Sequence, residues 1–236
     1  MDFKQQAAWR ALDYVQDGMV VGLGTGSTTS HFIQMLGEKL RQGGLRSVYG
    51  VPTSEGAAEH ARRLGIPLTD LAAHPRLDLV VDGADEVDPQ LNLIKGLGRA
   101  LLREKIVEIH TDRFVVIVDE SKLVSRLGNH GPLPVEIVRF QVEAHLRWLN
   151  SLGCRAEIWL EHDGVPVVTD NGNFLALCWF ESGQAGSPLA GIPDVYHLAK
   201  QMAQRPGIVE HGLFLDMAWQ VIVAGTQGIT IMERSQ

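Results

Sequence analysis

The sequence predicts an α/β protein: a parallel sheet with helices on both faces, carrying a smaller α+β domain as an insertion. Three observations predict it. Short apolar runs with little polar alternation recur between residues 19 and 118, separated by helical patterns, as expected of strands buried on both faces. Beyond the turn cluster Gly128-Asn129-His130-Gly131-Pro132 the order becomes strand, helix, strand, strand, helix, strand, which is the ferredoxin-like split motif. Two apolar runs then close the chain and are expected to rejoin the first sheet. The boundaries read 1–130 with 216–236 for the parallel-sheet domain and 131–215 for the ferredoxin-like one.

Each element has a local cause. Residues 3–16 set Ala7, Ala8, Ala11, Leu12 and Val15 at helical spacing. Met19-Val20-Val21-Gly22-Leu23 reads as a buried strand, and a helix carrying Phe32, Ile33, Met35, Leu36 and Leu40 follows until Gly43-Gly44 stops it. Residues 47–51 are a second strand. Ser54 caps a helix that runs to Leu64 and ends at Gly65. A strand over 77–81 leads into Asp82-Gly83-Ala84-Asp85, a helix spans about 98–110, and a strand covers 113–118. The second domain is read as strands 133–139, 155–161, 173–180 and 207–215, with helices 141–151 and 188–203. Runs at 219–225 and 228–232 form the two-strand ending.

Composition narrows the class. The chain has 236 residues, 45% of them apolar and 21% charged, which excludes a disordered or collagen-like chain. The longest apolar run, Phe174 to Phe180, is far short of the roughly 18 residues a membrane span needs. The N-terminus is polar, so no secretory leader is expected, and the only cysteines, Cys154 and Cys178, read as reduced core thiols of a cytoplasmic protein. A net charge of −7 without a basic stripe speaks against a nucleic-acid partner. No histidine or cysteine spacing fits a metal site, and no dinucleotide or P-loop pattern is present.

Three polar, glycine-rich loops fall at strand ends, where ligands bind in open α/β sheets. Gly22-Leu23-Gly24-Thr25-Gly26-Ser27-Thr28-Thr29 offers helix N-terminal N–H groups and hydroxyls to an anion, and alone it reads equally as a capped helix start. Asp82-Gly83-Ala84-Asp85-Glu86-Val87-Asp88 fits a cation site, an acid–base pair or an exposed acidic turn. Lys95-Gly96-Leu97-Gly98-Arg99 opens a helix whose Arg103-Glu104-Lys105 reads, by itself, as a solvated face.

In order and spacing these three loops resemble the signatures of ribose-5-phosphate isomerase type A. The likeness continues at Asp119-Glu120-Ser121-Lys122, Leu133-Pro134-Val135-Glu136, Val168-Thr169-Asp170-Asn171-Gly172-Asn173 and Pro206 to Phe214. The resemblance implies a Rossmann-like domain with a smaller α+β domain, assembled as a homodimer or homotetramer. It implies interconversion of D-ribose 5-phosphate and D-ribulose 5-phosphate in the pentose phosphate pathway, without metal or cofactor. Carried over position by position, Glu104 is the base between C1 and C2. Asp82 and Asp85 are the acids at the sugar oxygens, with Asp82 a candidate for ring opening, and Lys95 faces the enediolate. Thr25, Gly26, Ser27 and Thr28 form the substrate-binding turn, Gly83, Ala84, Gly96, Leu97 and Gly98 line the substrate, and Lys122 contacts it. One departure stands out: the family usually runs glycines after this lysine, and here Leu97 and Arg99 interrupt them. Leu97 is harmless there if its φ is negative; Arg99 either adds a cation or points to solvent. Two other readings stand beside the isomerase: an amino-sugar-phosphate isomerase/deaminase, and a sugar-phosphate sensor without catalysis.

Overall fold

The computed structural model describes residues 1–183 and 186–234; positions 184, 185, 235 and 236 of the two expected domains lie outside the described residues. Along the chain the elements are α1 (Phe3–Ala11), β1 (Val20–Leu23), α2 (Ser27–Arg41), β2 (Tyr49–Pro52), α3 (Glu55–Arg63), β3 (Leu79–Asp82), β4 (Glu86–Val87), β5 (Leu93–Ile94), α4 (Leu101–Glu108) and β6 (Phe114–Asp119). Then come β7 (Leu133–Ile137), α5 (Val142–Asn150), β8 (Arg155–Ile158), β9 (Phe174–Trp179), α6 (Val195–Ala203), β10 (Ile208–His211), β11 (Leu213–Phe214), β12 (Gln220–Gly225) and β13 (Gly228–Glu233). The chain divides into two compact units: Met1–Ala84 with Arg103–Lys122 and Asp216–Gln236, and Asp85–Leu102 with Leu123–Leu215.

The first unit is a six-stranded sheet in the order β13-β12-β6-β3-β1-β2. β2, β1, β3, β6 and β12 are mutually parallel, and β13 returns antiparallel beside β12. All residues of β1, β3 and β12 are buried, which is why these runs lack polar alternation. Ala7, Ala8 and Ala11 of α1 and Phe32, Ile33 and Leu36 of α2 share one core with Val21, Leu79, Val115 and Ile222 of the sheet. The Ser54 hydroxyl accepts the Ala57 N–H at 3.1 Å and caps α3 as the sequence indicates. Because the five strands run the same way, the turns after β1, β2, β3 and β6 emerge on one edge of the sheet.

The second unit carries an antiparallel sheet in the order β10-β7-β9-β8, the strand order of the ferredoxin-like motif. Leu133, Val135 and Ile137 of β7 pack with Leu149 of α5, Ala176 and Cys178 of β9, and Leu198 and Met202 of α6. Cys154 and Cys178 are buried free thiols, and the hydrogen bond between them together with burial pushes the Cys178 thiol well above its usual range. Of a second, three-stranded sheet, β11-β5-β4, the sequence pattern marks only the stretch that holds β11, since two-residue strands such as β4 and β5 are too short to show a period. Its pairing of β5 with β11 draws 85–102 into this unit, and 123–130 join it, although the sequence pattern assigns both stretches to the parallel-sheet domain.

Two other boundaries differ. The helix expected from 188 starts at Val195, because Gly191 sits at φ +79° and Pro193 precedes Asp194, whose carboxylate caps the helix through the His197 N–H. The strand expected over 207–215 breaks at Gly212, where a Cβ would lie 2.2 Å from the Lys95 carbonyl oxygen. No helix among the described residues is long and apolar enough to cross a membrane.

Gly22, in β1, leaves no room for a side chain: a Cβ there would lie 2.6 Å from a Val80 methyl and 3.0 Å from Val107. Gly22→Ala is expected to destabilise the protein by about 1–3 kcal/mol, read as a lowered midpoint of urea unfolding.

Candidate active site

In the first unit the chemistry gathers at the carboxyl ends of β1, β2 and β3. β1 leads into Gly24, whose N–H donates to the Val81 carbonyl at 3.0 Å. A Cβ on Gly24 would lie 2.1 Å from the Asp82 carboxylate, so this position admits only glycine. Asp82 is fully buried, and its Oδ1 accepts the N–H groups of Thr25 (3.0 Å) and Gly83 (2.6 Å) and the Thr29 hydroxyl (3.2 Å). The Thr25 hydroxyl bonds Thr53 Oγ1 at 2.7 Å and Ser54 Oγ at 2.8 Å, tying the β1 turn to the β2 turn. Gly83 and Ala84 are half-buried beyond the end of β3.

This pinning presents the N-terminus of α2. Gly26 occupies its N-cap at φ +120° and supplies no side-chain acceptor, so the hydroxyls of Ser27 and Thr28 do not serve as its cap. The partly or fully exposed residues Gly26, Ser27 and Thr28 carry the helix-start N–H groups at the positive end of the helix dipole. Lys4 of α1 donates from Nζ to Ser27 Oγ at 2.9 Å, adding a full positive charge there. The sequence reading missed Lys4: nothing local marks a lysine that meets its partner across 23 residues of chain.

Glu104 stands in the first turn of α4 and is 2% exposed. It shares a helix face with Leu101, Val107 and Glu108, all buried. The run Arg103-Glu104-Lys105 is therefore no uniform solvated face, for Arg103 turns outward to Glu55 at 2.8 Å while Glu104 lies in the buried stripe. Lys122 is half-buried at the end of a short 3₁₀ turn after β6.

In the second unit, Lys95 follows β5, 2% exposed, with Nζ 5.4 Å from the centre of the Phe214 ring and its N–H donating to the Gly212 carbonyl at 2.9 Å. Gly96 has φ +118°, with Leu101 side-chain atoms 2.9 and 3.0 Å from where a Cβ would lie, and the Asp85 carboxylate accepts the Leu97 N–H at 2.9 Å. Among residues 95–99 the left-handed positions are Gly96 and Arg99, at φ +68°; Leu97 and Gly98 are not left-handed, so the leucine carries no strain. Glu86 and Asp88 serve as scaffold. Glu86 accepts the N–H groups of Gly128, His130 and Gly131, and Asp88 those of Gln90 and Asn92. The acidic run is thus neither one cation site nor an exposed turn. Among the described residues no group of three or more histidine, cysteine, aspartate or glutamate side chains is arranged to hold a metal.

A parallel sheet that offers bare helix-start amides, hydroxyls and a lysine at its carboxyl edge, beside buried carboxylates, is the architecture of an α/β enzyme for small anionic substrates. Known proteins make this specific. The family model of ribose 5-phosphate isomerase A (phosphoriboisomerase A) matches residues 49–228. The chain is 50% identical over 231 residues to ribose-5-phosphate isomerase A of Roseiflexus castenholzii, covering 98% of this chain and 95% of that one. It is 48% identical to the Nitrobacter hamburgensis protein of the same description, over 98% and 97% of the two chains. A solved D-ribose-5-phosphate isomerase in complex with phospho-erythronic acid superposes with a TM-score of 0.91 at 40% identity, covering 99% and 98%. The ribose 5-phosphate isomerase A structure from Methanocaldococcus jannaschii gives 0.89 at 39%, covering 98% of each. The chain belongs to the ribose 5-phosphate isomerase A family.

Glu86→Ala removes one buried acceptor from three backbone N–H groups. It is expected to cost roughly 3 kcal/mol or more, seen as a lower thermal midpoint.

Proposed function

We infer that the protein is an aldose–ketose isomerase interconverting D-ribose 5-phosphate and D-ribulose 5-phosphate through an enediolate, and we propose a part in it for each matched residue. The observation that carries the assignment of the base is Glu104, a carboxylate buried in the first turn of α4 at the position the family motif marks.

The reaction removes the proton on C2 of the open-chain aldose and returns a proton to C1, while the oxygens on C1 and C2 exchange roles as carbonyl and hydroxyl. No electrons leave the substrate, so the step balances without a redox partner. In this reading Glu104 carries the proton between the two carbons, a task for which a positioned carboxylate contributes roughly 10²–10⁴-fold. Lys95 places an ammonium against the enediolate oxygen, a contribution of about 3–4 kcal/mol for one good group. Asp82 and Asp85 face the sugar oxygens, with Asp82 serving ring opening, and both also hold the turns described above. Thr25, Gly26, Ser27 and Thr28 receive the phosphate at the N-terminus of α2 with Lys4, and Gly83, Ala84, Gly96, Leu97, Gly98 and Lys122 complete the substrate contacts.

We further propose a homodimer or homotetramer and a cytoplasmic setting. Exposed Phe140, Leu160, Val165 and Val168 on the second unit support contact with a second copy, and two buried free thiols fit a reducing compartment. Light scattering should give two or four times the chain mass of 25.9 kDa.

The test is turnover of ribose 5-phosphate, run with and without EDTA and in heavy water; an unchanged rate with chelator and deuterium uptake at the transferred position are expected. Glu104→Gln should lower kcat by at least about 10²-fold while an aldonate phosphate analogue still binds. Full activity in that variant removes Glu104 from the mechanism. Lys4→Met should raise KM for the phosphorylated sugar roughly tenfold with a smaller change in kcat.

A further inference from the structure

Arg99 interrupts the glycine turn after Lys95, and the structure shows where its charge goes. Its guanidinium makes a two-pronged pair with both carboxylate oxygens of Glu161, one contact at 3.0 Å, and lies over the Trp159 ring with 5.1 Å to the centroid. The cation is spoken for within the second unit, by a carboxylate and an aromatic face at once.

The partner segment is itself held. The backbone N–H of Trp159 donates to the Leu175 carbonyl at 2.8 Å and its carbonyl accepts the Val167 N–H at 2.9 Å, and the Glu161 backbone N–H donates to the Val165 carbonyl at 2.8 Å. The clasp therefore ends on a hairpin tied to β9. At the other end, Arg99 closes a tight turn, its N–H donating to the Gly96 carbonyl at 2.9 Å. Its φ of +68° is a left-handed conformation that a side chain other than glycine keeps only when the surroundings enforce it. Three anchors thus fix the turn in alternate positions: Gly212 holds the Lys95 N–H, Asp85 holds the Leu97 N–H, and Glu161 with Trp159 holds Arg99.

We propose that Arg99 is a positioning residue of the isomerase: clasped by Glu161 and stacked on Trp159, it sets the Lys95–Gly98 turn in the geometry that substrate and enediolate require. The proposal rests on the reading of Lys95 and its turn as substrate-contacting groups. It assigns Arg99 to neither of its simpler fates, a substrate cation or a solvated side chain, and it makes Glu161 and Trp159 part of the same device. A half-exposed single ion pair would do little, but a bidentate and stacked one fixes orientation as well as distance.

The experiment measures kcat and KM for ribose 5-phosphate, with thermal unfolding, in wild type, Arg99→Ala, Arg99→Lys, Glu161→Gln and the Arg99→Ala/Glu161→Gln pair. A displaced turn is expected to lower kcat roughly 10- to 100-fold in Arg99→Ala, with a parallel loss in Glu161→Gln. The double variant should be no slower than Arg99→Ala alone, because both changes break one contact. Arg99→Lys should recover only part of the rate, since an ammonium cannot fork or stack in the same way. Unchanged kcat in both single variants, or additive losses in the pair, would overturn the proposal. A raised KM in Arg99→Ala with Glu161→Gln silent would also overturn it, since Arg99 would then bind substrate directly. Should Arg99→Ala fail to fold, Glu161→Gln decides by the same criterion of kcat. Absence of turnover in the wild type is a separate result: it brings down the isomerase reading itself, and the clasp's catalytic role with it.

Discussion

The buried carboxylate of Asp82 is the contact on which the carboxyl edge of the first unit's sheet depends. It sits at the last position of β3 and gathers the Thr25 and Gly83 N–H groups and the Thr29 hydroxyl on one oxygen. A buried carboxylate is tolerable only when such donors replace water, and here the donors belong to the turn that must be aimed. The same contact explains why Gly24 bears no side chain, why Thr29 is buried at the start of a helix, and why the α2 N-terminus is held with a bare cap. Removing water from the carboxylate and orienting the turn after β1 are one event.

The second unit uses acids in a similar way. Glu86, Asp88 and Asp85 each accept backbone N–H groups from loops that have no regular partner, and Glu136 in β7 accepts from Thr169, Asn171 and Asn173. Buried backbone donors must be satisfied, and a carboxylate satisfies several at once. This changes how the net charge of −7 should be read. Much of the acidic excess is internal scaffolding that meets local N–H dipoles, while Lys4 and the helix-start amides make the N-terminus of α2 locally positive. Overall charge says little about the potential at one turn, particularly when salt screens beyond about 8–10 Å.

Strands and helices of ordinary length were legible because their causes are local. The Ser54 cap, the Gly43-Gly44 stop, the apolar runs of β1, β3 and β6 and the ferredoxin-like order all follow from neighbouring residues. Structure and sequence pattern differ where the cause is remote or brief. β4, β5 and β11 exist only because they pair with one another, and 85–102 join the second unit through that pairing. Of the four acids in the 82–88 run, burial and partners, not spacing, separate the turn-holding Asp82 and Asp85 from the scaffold pair Glu86 and Asp88. Glu104 did leave a trace, a glutamate on the same helical stripe as Leu101 and Val107, although the charged residues on either side mask it.

By itself the sequence determined the layered α/β plan, the inserted antiparallel domain and, through an ordered set of motifs, the family. These depend on periodicity, on turn residues and on matched positions, all of which are written along the chain. Only the tertiary structure decided that Lys4 stands at the α2 N-terminus, that Asp82 braces the turn beside it, and that Arg99 is clasped by Glu161 and Trp159. Each of those contacts joins residues far apart in the chain, so no local pattern announces it, and for Asp82 the donors that make burial tolerable gather only once the fold has closed over it.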